Sequence, residues 1–162
     1  MKQMLLLFVV LMASVPAHAG MAEVGKPFPA YTLQDQFGHT NTLSPSTRFV
    51  VVASEKGISE KLNEWLKPKE QGYLAAHKTE YVSDIEPMPG IITKMFALPK
   101  MKKYPFTLLL ATEKSFAQTY PHQKGKIALF VLDEQQVLSE IRFLDAPADV
   151  EAVLAAGSAP RE

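Results

Sequence analysis

The chain has 162 residues, contains no cysteine, and carries 17 basic and 17 acidic side chains, so its formal net charge is zero. The absence of cysteine excludes thiol redox chemistry, cysteine–zinc sites, cysteine nucleophiles and iron–sulfur clusters. Balanced charge argues against nucleic-acid binding, which needs a strongly basic face. No phosphate-binding loop or G-x-G-x-x-G motif occurs, so we predict no nucleotide, flavin or other cofactor.

The first nineteen residues have the features of a secretory signal peptide. Lys2 gives a positive start, residues 4–12 are continuously apolar, and Ala17-His18-Ala19 has the small-x-small form of a cleavage site. The apolar core is shorter than the about 20 residues that span a bilayer. We therefore predict cleavage after Ala19 and a periplasmic or secreted protein with no stable membrane span. The alternative is an uncleaved N-terminal anchor, whereas a lipoprotein is excluded because lipid attachment needs a cysteine.

The rest of the chain is one domain long, which we predict over residues 20–157, with a frayed tail at 158–162. Alternating or apolar segments predict strands at 31–33, 39–43, 49–53, 79–85, 126–132 and 137–144, and a strand or extended connector at 105–111. Helical patterns lie at 59–66 (with a continuation at 71–77), 91–103, 115–120 and 147–157.

Segment 49–53 is apolar without alternation, which is typical of a central strand covered on both faces. Ser59 then opens a helix with apolar residues at i, i+3 and i+4. In helix 91–103 the residues on one side are Ile91, Met95, Phe96 and Leu98, and Pro99 predicts a bend. Strands that alternate with helices predict parallel strands with crossover helices, plus an antiparallel hairpin at an edge.

This order, with two local phrases, resembles the thioredoxin-like superfamily, nearer to its peroxiredoxin and thiol–disulfide oxidoreductase branches. Residues 24–43 resemble the N-terminal segment of that group, in which a glycine and prolines precede a strand, a D-x-x-G turn and a second strand. Residues 104–138 resemble the peroxiredoxin passage with a short helix, a glycine, a strand ending in Asp and a turn. The resemblance implies an α/β, thioredoxin-like fold: a central mixed sheet with an N-terminal β-hairpin extension and flanking helices.

The chain departs from this superfamily at its redox centre. The first cysteine of the C-x-x-C motif falls near Ser59 and the second near Leu62, and the cis-proline position falls near Ile127. None of these residues has the side chain that the motif requires, since cis peptide bonds are nearly a proline property. The peroxiredoxin loop with threonine and cysteine is also absent. The resemblance therefore implies the fold without its thiol chemistry.

If the substrate groove of the superfamily persists, the resemblance implies that Ser54, Glu55, Lys56 and Ser59 line it, with Ile127 at the cis-proline position. The charged pairs here, Glu55-Lys56 and Glu60-Lys61, are alternatively ordinary solvated charges. Ser59 at a predicted helix start is alternatively an N-cap, which contributes about 1 kcal/mol.

Three functions follow from these observations. The first is an exported thioredoxin-fold module without thiol redox activity that binds a protein or peptide partner in the groove. The second is an enzyme of another class that uses Ser59, for which Asp84, Asp133 and His122 complete a triad on paper. The third is a periplasmic metal carrier. For none of the three does the sequence indicate a particular partner or oligomeric state.

The metal carrier would use the histidines His39, His77 and His122 and the methionines Met88, Met95 and Met101, since thioethers bind copper(I). No two of these histidines have the spacing of a metal motif, and core packing is the alternative role of the methionines. The aromatic–proline pairs at 104–106 and 120–121 predict structural corners, or a peptide-binding ledge if they are exposed.

Overall fold

The computed structural model describes residues 20–157, so the predicted signal peptide and the predicted C-terminal tail lie outside the described residues. Over this range seven strands form one sheet in the order β2-β1-β5-β4-β3-β6-β7. The strands are β1 (Thr32–Asp35), β2 (Thr40–Thr42), β3 (Phe49–Ala53), β4 (Thr79–Asp84), β5 (Leu109–Ala111), β6 (Ile127–Leu132) and β7 (Leu138–Leu144). Strands β3, β4 and β5 are parallel, and the other pairings are antiparallel. The predicted mixed sheet with an N-terminal hairpin extension is confirmed.

The helices connect and cover these strands. They are α1 (Lys56–Leu66), α2 (Tyr73–Ala76), α3 (Gly90–Ile92), α4 (Leu98–Met101), α5 (Lys114–Thr119) and α6 (Pro147–Gly157). A π-helical turn, Thr93–Ala97, joins α3 to α4 into one helical segment, 90–101. Pro99 has no N–H to donate, and the Leu98 N–H donates to the carbonyl of Thr93 instead, five residues back. Near Pro99, where the sequence predicts a bend, the helical segment thus has a widened turn.

Both faces of the sheet are covered, and all five residues of β3 are buried. On one face, residues of β3, β4, β5 and β6 pack against α1, α2, α4 and α6; the buried helical residues are Ile58, Leu62, Leu66, Leu74, Met101, Val150 and Leu154. On the other face, the cover is the N-terminal segment and α5, through Ala22, Phe28, Tyr31, Phe116 and Tyr120. Burial on both faces explains why β3 is apolar without alternation.

The N-terminal hairpin is fixed to the sheet by two buried or half-buried polar side chains. Glu80 of β4 accepts hydrogen bonds from the Tyr31 hydroxyl (2.6 Å) and from the backbone and side chain of the 44–47 turn. Burial, with the Glu80 carboxylate second, raises the pKa of Tyr31 far above its ordinary value, so the phenol stays a donor.

The second of these side chains, Gln36, limits strand β5. Its amide donates to the Phe106 carbonyl (2.8 Å) and accepts from the Leu108 N–H (2.9 Å). These backbone groups are therefore occupied by a side chain instead of a neighbouring strand. For this reason the predicted strand or connector at 105–111 is a strand only over Leu109–Ala111.

Candidate functional site

The carboxyl ends of β3, β4 and β5 meet at one edge of the sheet, which we call the carboxyl edge. The residues at this edge are 54–56 after β3, 84–88 at the end of β4, and 112–114 after β5. Because β6 is antiparallel to β3, with Ala128 opposite Val52, the loop before β6 (residues 121–126) reaches the same edge. Ligands of open α/β sheets bind outside the carboxyl ends of their strands, so this edge is the candidate site.

Ser59 lies in the first turn of α1 and does not cap it. The helix begins at Lys56, Glu55 occupies the N-cap position without a side-chain cap, and the Ser59 N–H donates to the Glu55 carbonyl (2.9 Å). The predicted capping role of Ser59 is therefore wrong, because the helix starts three residues earlier. The Ser59 hydroxyl instead lies 2.7 Å from the hydroxyl of Ser83 in β4, and both side chains are buried.

A third hydroxyl lies beside this serine pair. Tyr81 is buried, and within residues 20–157 its hydroxyl has no hydrogen-bond partner, although Ser59 is close by. Burial raises the pKa of Tyr81 above its ordinary value. The surroundings of Ser59 are thus neutral hydroxyls inside the core, whereas a nucleophilic serine needs a base within hydrogen-bond reach.

The side chains proposed to form a catalytic triad with Ser59, namely His122 with Asp84 or Asp133, do not lie together around Ser59. Asp133 lies in the turn after β6, at the opposite end of the sheet, where its carboxylate accepts hydrogen bonds from the N–H groups of Gln135 and Val137 (2.9 Å each). His122 is exposed and lies near Asp84 rather than Ser59. Burial raises the pKa of Asp84, and the hydrogen bond from the Glu86 N–H (3.0 Å) opposes this shift.

Glu55 connects the loop before α1 with the loop before β6, next to the positions where the resemblance implies the redox motif and the cis-proline. Its Oε1 accepts a hydrogen bond from the Gly125 N–H at 2.5 Å. Gly125 has φ +73°, a left-handed conformation that glycine adopts without strain. Two residues later the chain enters β6 at Ile127, whose side chain is fully buried, and no peptide bond of residues 20–157 is cis.

The five residues predicted to line a groove are therefore placed differently. Ser59 and Ile127 face the core, Ser54 and Glu55 are half-buried, and Lys56 is exposed, 3.9 Å from the carboxylate of Glu60. A partner at this point would contact Ser54, Glu55 and Lys56. The groove at these five residues remains a prediction.

An open cavity of about 720 Å³ begins at the carboxyl edge and extends along β1. Its walls come from the β1 strand and turn, the loop after β4, the helical segment 90–101, and the end of β5. The lining residues include Leu33, Phe37, Ile85, Met88, Leu98 and Leu110, with Asp35, Glu86, Lys94, Lys102 and Glu113. Apolar walls with a few charged groups are the usual lining of a ligand-binding cleft.

Asp35 is the acidic group of this cavity whose pKa is lowered. Its burial alone would raise the pKa, but the backbone N–H groups of His39 (2.9 Å) and Phe37 (2.8 Å) and the His39 ring (3.1 Å) outweigh that effect. The carboxylate is therefore held in the ionised form and fixes the turn at one end of the cavity.

The helical segment beside the cavity exposes apolar side chains. Ile91, Met95 and Phe96 are exposed, whereas Leu98 contacts the core. The sequence pattern predicts all four residues on one side of a helix, but of the four only Leu98 packs against the core. The pattern of spacing identifies an apolar face and does not reveal what covers it.

The methionines of the proposed metal carrier differ in burial. Met101 is buried, Met88 is half-buried in the cavity wall, and Met95 is exposed. The described part of the chain has no cluster of three or more histidine or acidic side chains that could hold a metal ion.

Within residues 20–157, no helix combines the length and the apolar character that a membrane span requires.

Neither a protein-family model nor a curated protein matches the chain. Solved structures do match. One of them is peroxidoxin BcpB from Mycobacterium tuberculosis, with a TM-score of 0.55 and 18% sequence identity, and the match covers 86% of this chain and 99% of the other. The chain has a thioredoxin-like fold. Two further matches are a thio-disulfide isomerase from Thermus thermophilus (TM-score 0.52, 18% identity, 86% and 99% coverage) and a Chlorobium tepidum protein provisionally assigned as the thiol:disulfide interchange protein DsbE (TM-score 0.56, 18% identity, 85% and 99% coverage).

The predicted thioredoxin-like fold is confirmed by these matches, and the chain has no cysteine with which to carry out thiol chemistry. Sequence reasoning missed Ser83 and Gly125, the partners of Ser59 and Glu55. The alternation of Tyr81 and Ser83 in β4 with Ile85 just after it was a usable signal for Ser83, because period-two spacing places it on the face that meets α1. No local signal identifies Gly125.

Proposed function

We propose that this protein is an exported thioredoxin-fold module, without thiol redox activity, that binds a protein or peptide partner at the carboxyl edge of its sheet. The observation that carries the proposal is the open cavity of about 720 Å³ at that edge. The Ser59–Ser83 pair, which is buried and engaged internally, does not line it. The position at which the resemblance implies the first cysteine thus has a hydroxyl that is engaged internally, which supports a module without thiol chemistry, and the open cavity supports a ligand at the same edge.

The walls of the cavity favour an extended peptide with apolar and charged side chains. Leu33, Met88 and Leu98 provide apolar contact area, and acidic and basic side chains lie at the rim. Peptide recognition commonly combines such pockets with a few charge pairs that fix orientation. Ser54, Glu55 and Lys56 lie at the same edge, and we propose that they contact peptide residues that extend beyond the cavity.

The proposal is tested with a random peptide library displayed on phage and selected on the purified protein. We expect enriched peptides that share a motif and bind in the micromolar range by calorimetry, as is usual for short linear ligands. A Met88→Arg variant, which places a charge in the cavity wall, should weaken binding by at least about tenfold. The matched control is Met21→Arg, at an exposed methionine that does not line the cavity, and it should bind like the parent protein.

Two results would contradict this proposal. One is a selection that enriches no peptide above an unrelated protein of similar charge. The other is a set of peptides that bind Met88→Arg as tightly as the parent protein, provided that both proteins have the same circular dichroism and melting temperature.

Export is tested independently of binding. The protein is expressed with its own N-terminus, the periplasm is separated from the cytoplasm, and the mass of the intact chain is measured in each fraction. We expect a periplasmic species that begins at Gly20. A full-length species confined to the cytoplasm would show that residues 1–19 do not act as a signal.

A further inference from the structure

Four large apolar side chains project from the helical segment beside the cavity. The exposed fractions are 72% for Ile91, 45% for Ile92, 65% for Met95 and 64% for Phe96. Ile91 and Met95 are four residues apart, as are Ile92 and Phe96, so each pair occupies neighbouring turns. We call these four residues the apolar ridge. Exposed apolar groups clustered in this way mark an interaction surface rather than ordinary surface variation.

The ridge is accompanied by positive charge only. Residues 90–103 include four exposed lysines, Lys94, Lys100, Lys102 and Lys103, and no acidic residue. Among residues 20–157 none of these four ammonium groups has a carboxylate within 4 Å. Lys100 contributes, after Lys67, to lowering the pKa of Glu64, and the charges of Lys94, Lys102 and Lys103 are available to a partner. The acidic side chains Glu86 and Glu113 lie in the adjoining cavity wall, and Glu86 already faces Lys114 at 4.0 Å.

This charge distribution disfavours a second copy of the chain as the occupant. In a symmetric dimer the same surface meets itself, so the lysines of one ridge would face those of the other. Like charges at short range are unfavourable, and residues 90–103 contain no carboxylate to compensate them. The occupant must therefore carry negative charge and accept apolar side chains.

We propose that the apolar ridge and its lysines dock onto an anionic phospholipid membrane surface. A helix with large apolar side chains on one side and lysines beside them lies in the interfacial plane, with the apolar groups inserted among the acyl chains. Lysine stems extend along the apolar region while their ammonium groups reach the phosphates. A flat anionic surface suits a projecting ridge with dispersed lysines, whereas a protein partner would need a groove with acidic groups at matching positions.

The absence of cysteine allows a direct test in the full chain, because a single introduced cysteine can be labelled uniquely. The probe is the environment-sensitive fluorophore NBD, attached through Met95→Cys on the ridge. Vesicles of phosphatidylglycerol and phosphatidylcholine in equal parts should shift its emission to shorter wavelength and raise its intensity. Vesicles of phosphatidylcholine alone should produce a much weaker response. The control label, attached through Ser139→Cys on the exposed side of β7, should not respond to either vesicle.

Two variants of the labelled protein separate the contributions of charge and apolar contact. Lys94→Gln/Lys100→Gln should weaken the apparent affinity for the anionic vesicles by about tenfold or more, and added salt should reduce the response of the parent protein. Phe96→Ser should also weaken it, with little change in melting temperature, because this side chain is already exposed.

The proposal is overturned if the label on the ridge does not respond to anionic vesicles, which would leave an acidic protein as the occupant. It is also overturned by equal responses to both kinds of vesicle, or by equal responses of the two labels, since either result would show adsorption that does not involve this surface. Peptide binding in the cavity is measured without vesicles, so the outcomes of the two tests are independent.

Discussion

The hydroxyls of Ser59 and Ser83 are 2.7 Å apart, and both side chains are buried between α1 and β4. Each hydroxyl therefore depends on the other, since neither reaches water. A buried polar group that loses its partner costs its full desolvation penalty, whereas removal of both groups of a pair can be nearly neutral. The pair thus acts as part of the core, and this has a measurable signature.

Ser59→Ala should lower the free energy of unfolding by about 1–3 kcal/mol, because the Ser83 hydroxyl is left without a partner. The double variant Ser59→Ala/Ser83→Ala should cost less than the sum of the two single variants, since neither serine hydroxyl is then left unpaired. The Tyr81 hydroxyl lacks a hydrogen-bond partner in the parent protein as well. Urea unfolding followed by circular dichroism measures all three. Ser139→Ala, at an exposed serine of β7, is the control, and strictly additive effects would show that the two hydroxyls are not coupled.

At the level of single elements, two glycines in helices have opposite surroundings. Gly57 lies in α1, and a Cβ added there would have no atom within 4 Å. Gly157 ends α6, and a Cβ added there would lie 2.3 Å from Cζ of the Phe49 ring, which is buried in β3. The close approach of α6 to the central strand therefore requires a residue without a side chain.

Gly57→Ala should raise the free energy of unfolding by about 0.5–1 kcal/mol, because alanine favours a helix more than glycine does. Gly157→Ala should lower it by about 1–3 kcal/mol, since the Phe49 ring must move in a packed core. Thermal and urea unfolding of the two variants, measured side by side, provide the comparison. A Gly157→Ala protein as stable as the parent would mean that α6 does not pack against Phe49 in this way.

The sequence determines the bounds of some helices and strands more closely than those of others. Strand β3 and helix α6 were predicted at their observed bounds, because an unbroken apolar run and a Pro-to-Gly interval are strong local signals. The start of α1 was predicted three residues late, since no capping side chain marks it. The exposure of Ile91 and Phe96 could not be predicted, because it depends on which distant segments pack against the helix.

The candidate site was predictable only in part, for a related reason. The resemblance implies that Ser59 follows shortly after β3, but its burial and hydrogen bonding depend on contacts between distant segments. Ser83 follows 24 residues later and Gly125 lies 70 residues from Glu55. Such pairings become visible only when the order of the strands is known.

For the molecule as a whole, the protection of backbone N–H groups against hydrogen exchange should increase toward the centre of the sheet. Strand β3 lies between β4 and β6 and is covered on both faces, whereas β2 is a short edge strand with mostly exposed residues. We expect hydrogen–deuterium exchange to be slowest in β3 and β6 and much faster in the β1–β2 hairpin. Mass spectrometry of peptides from the exchanged protein measures this order. Equal protection of hairpin and centre would indicate that the whole sheet opens as one unit.

The place of the N-terminal hairpin also sets the order in which the molecule can be completed. Strand β1 pairs with β2 and with β5. Residue 34 pairs with residue 110, so the hairpin can join the sheet only after β5 has been synthesised. Closing so long a loop is entropically costly and slow. A chain synthesised or threaded from its N-terminus therefore carries an unpaired hairpin edge until β5 is available. A product interrupted before Leu109 would retain that open edge, which favours aggregation over folding.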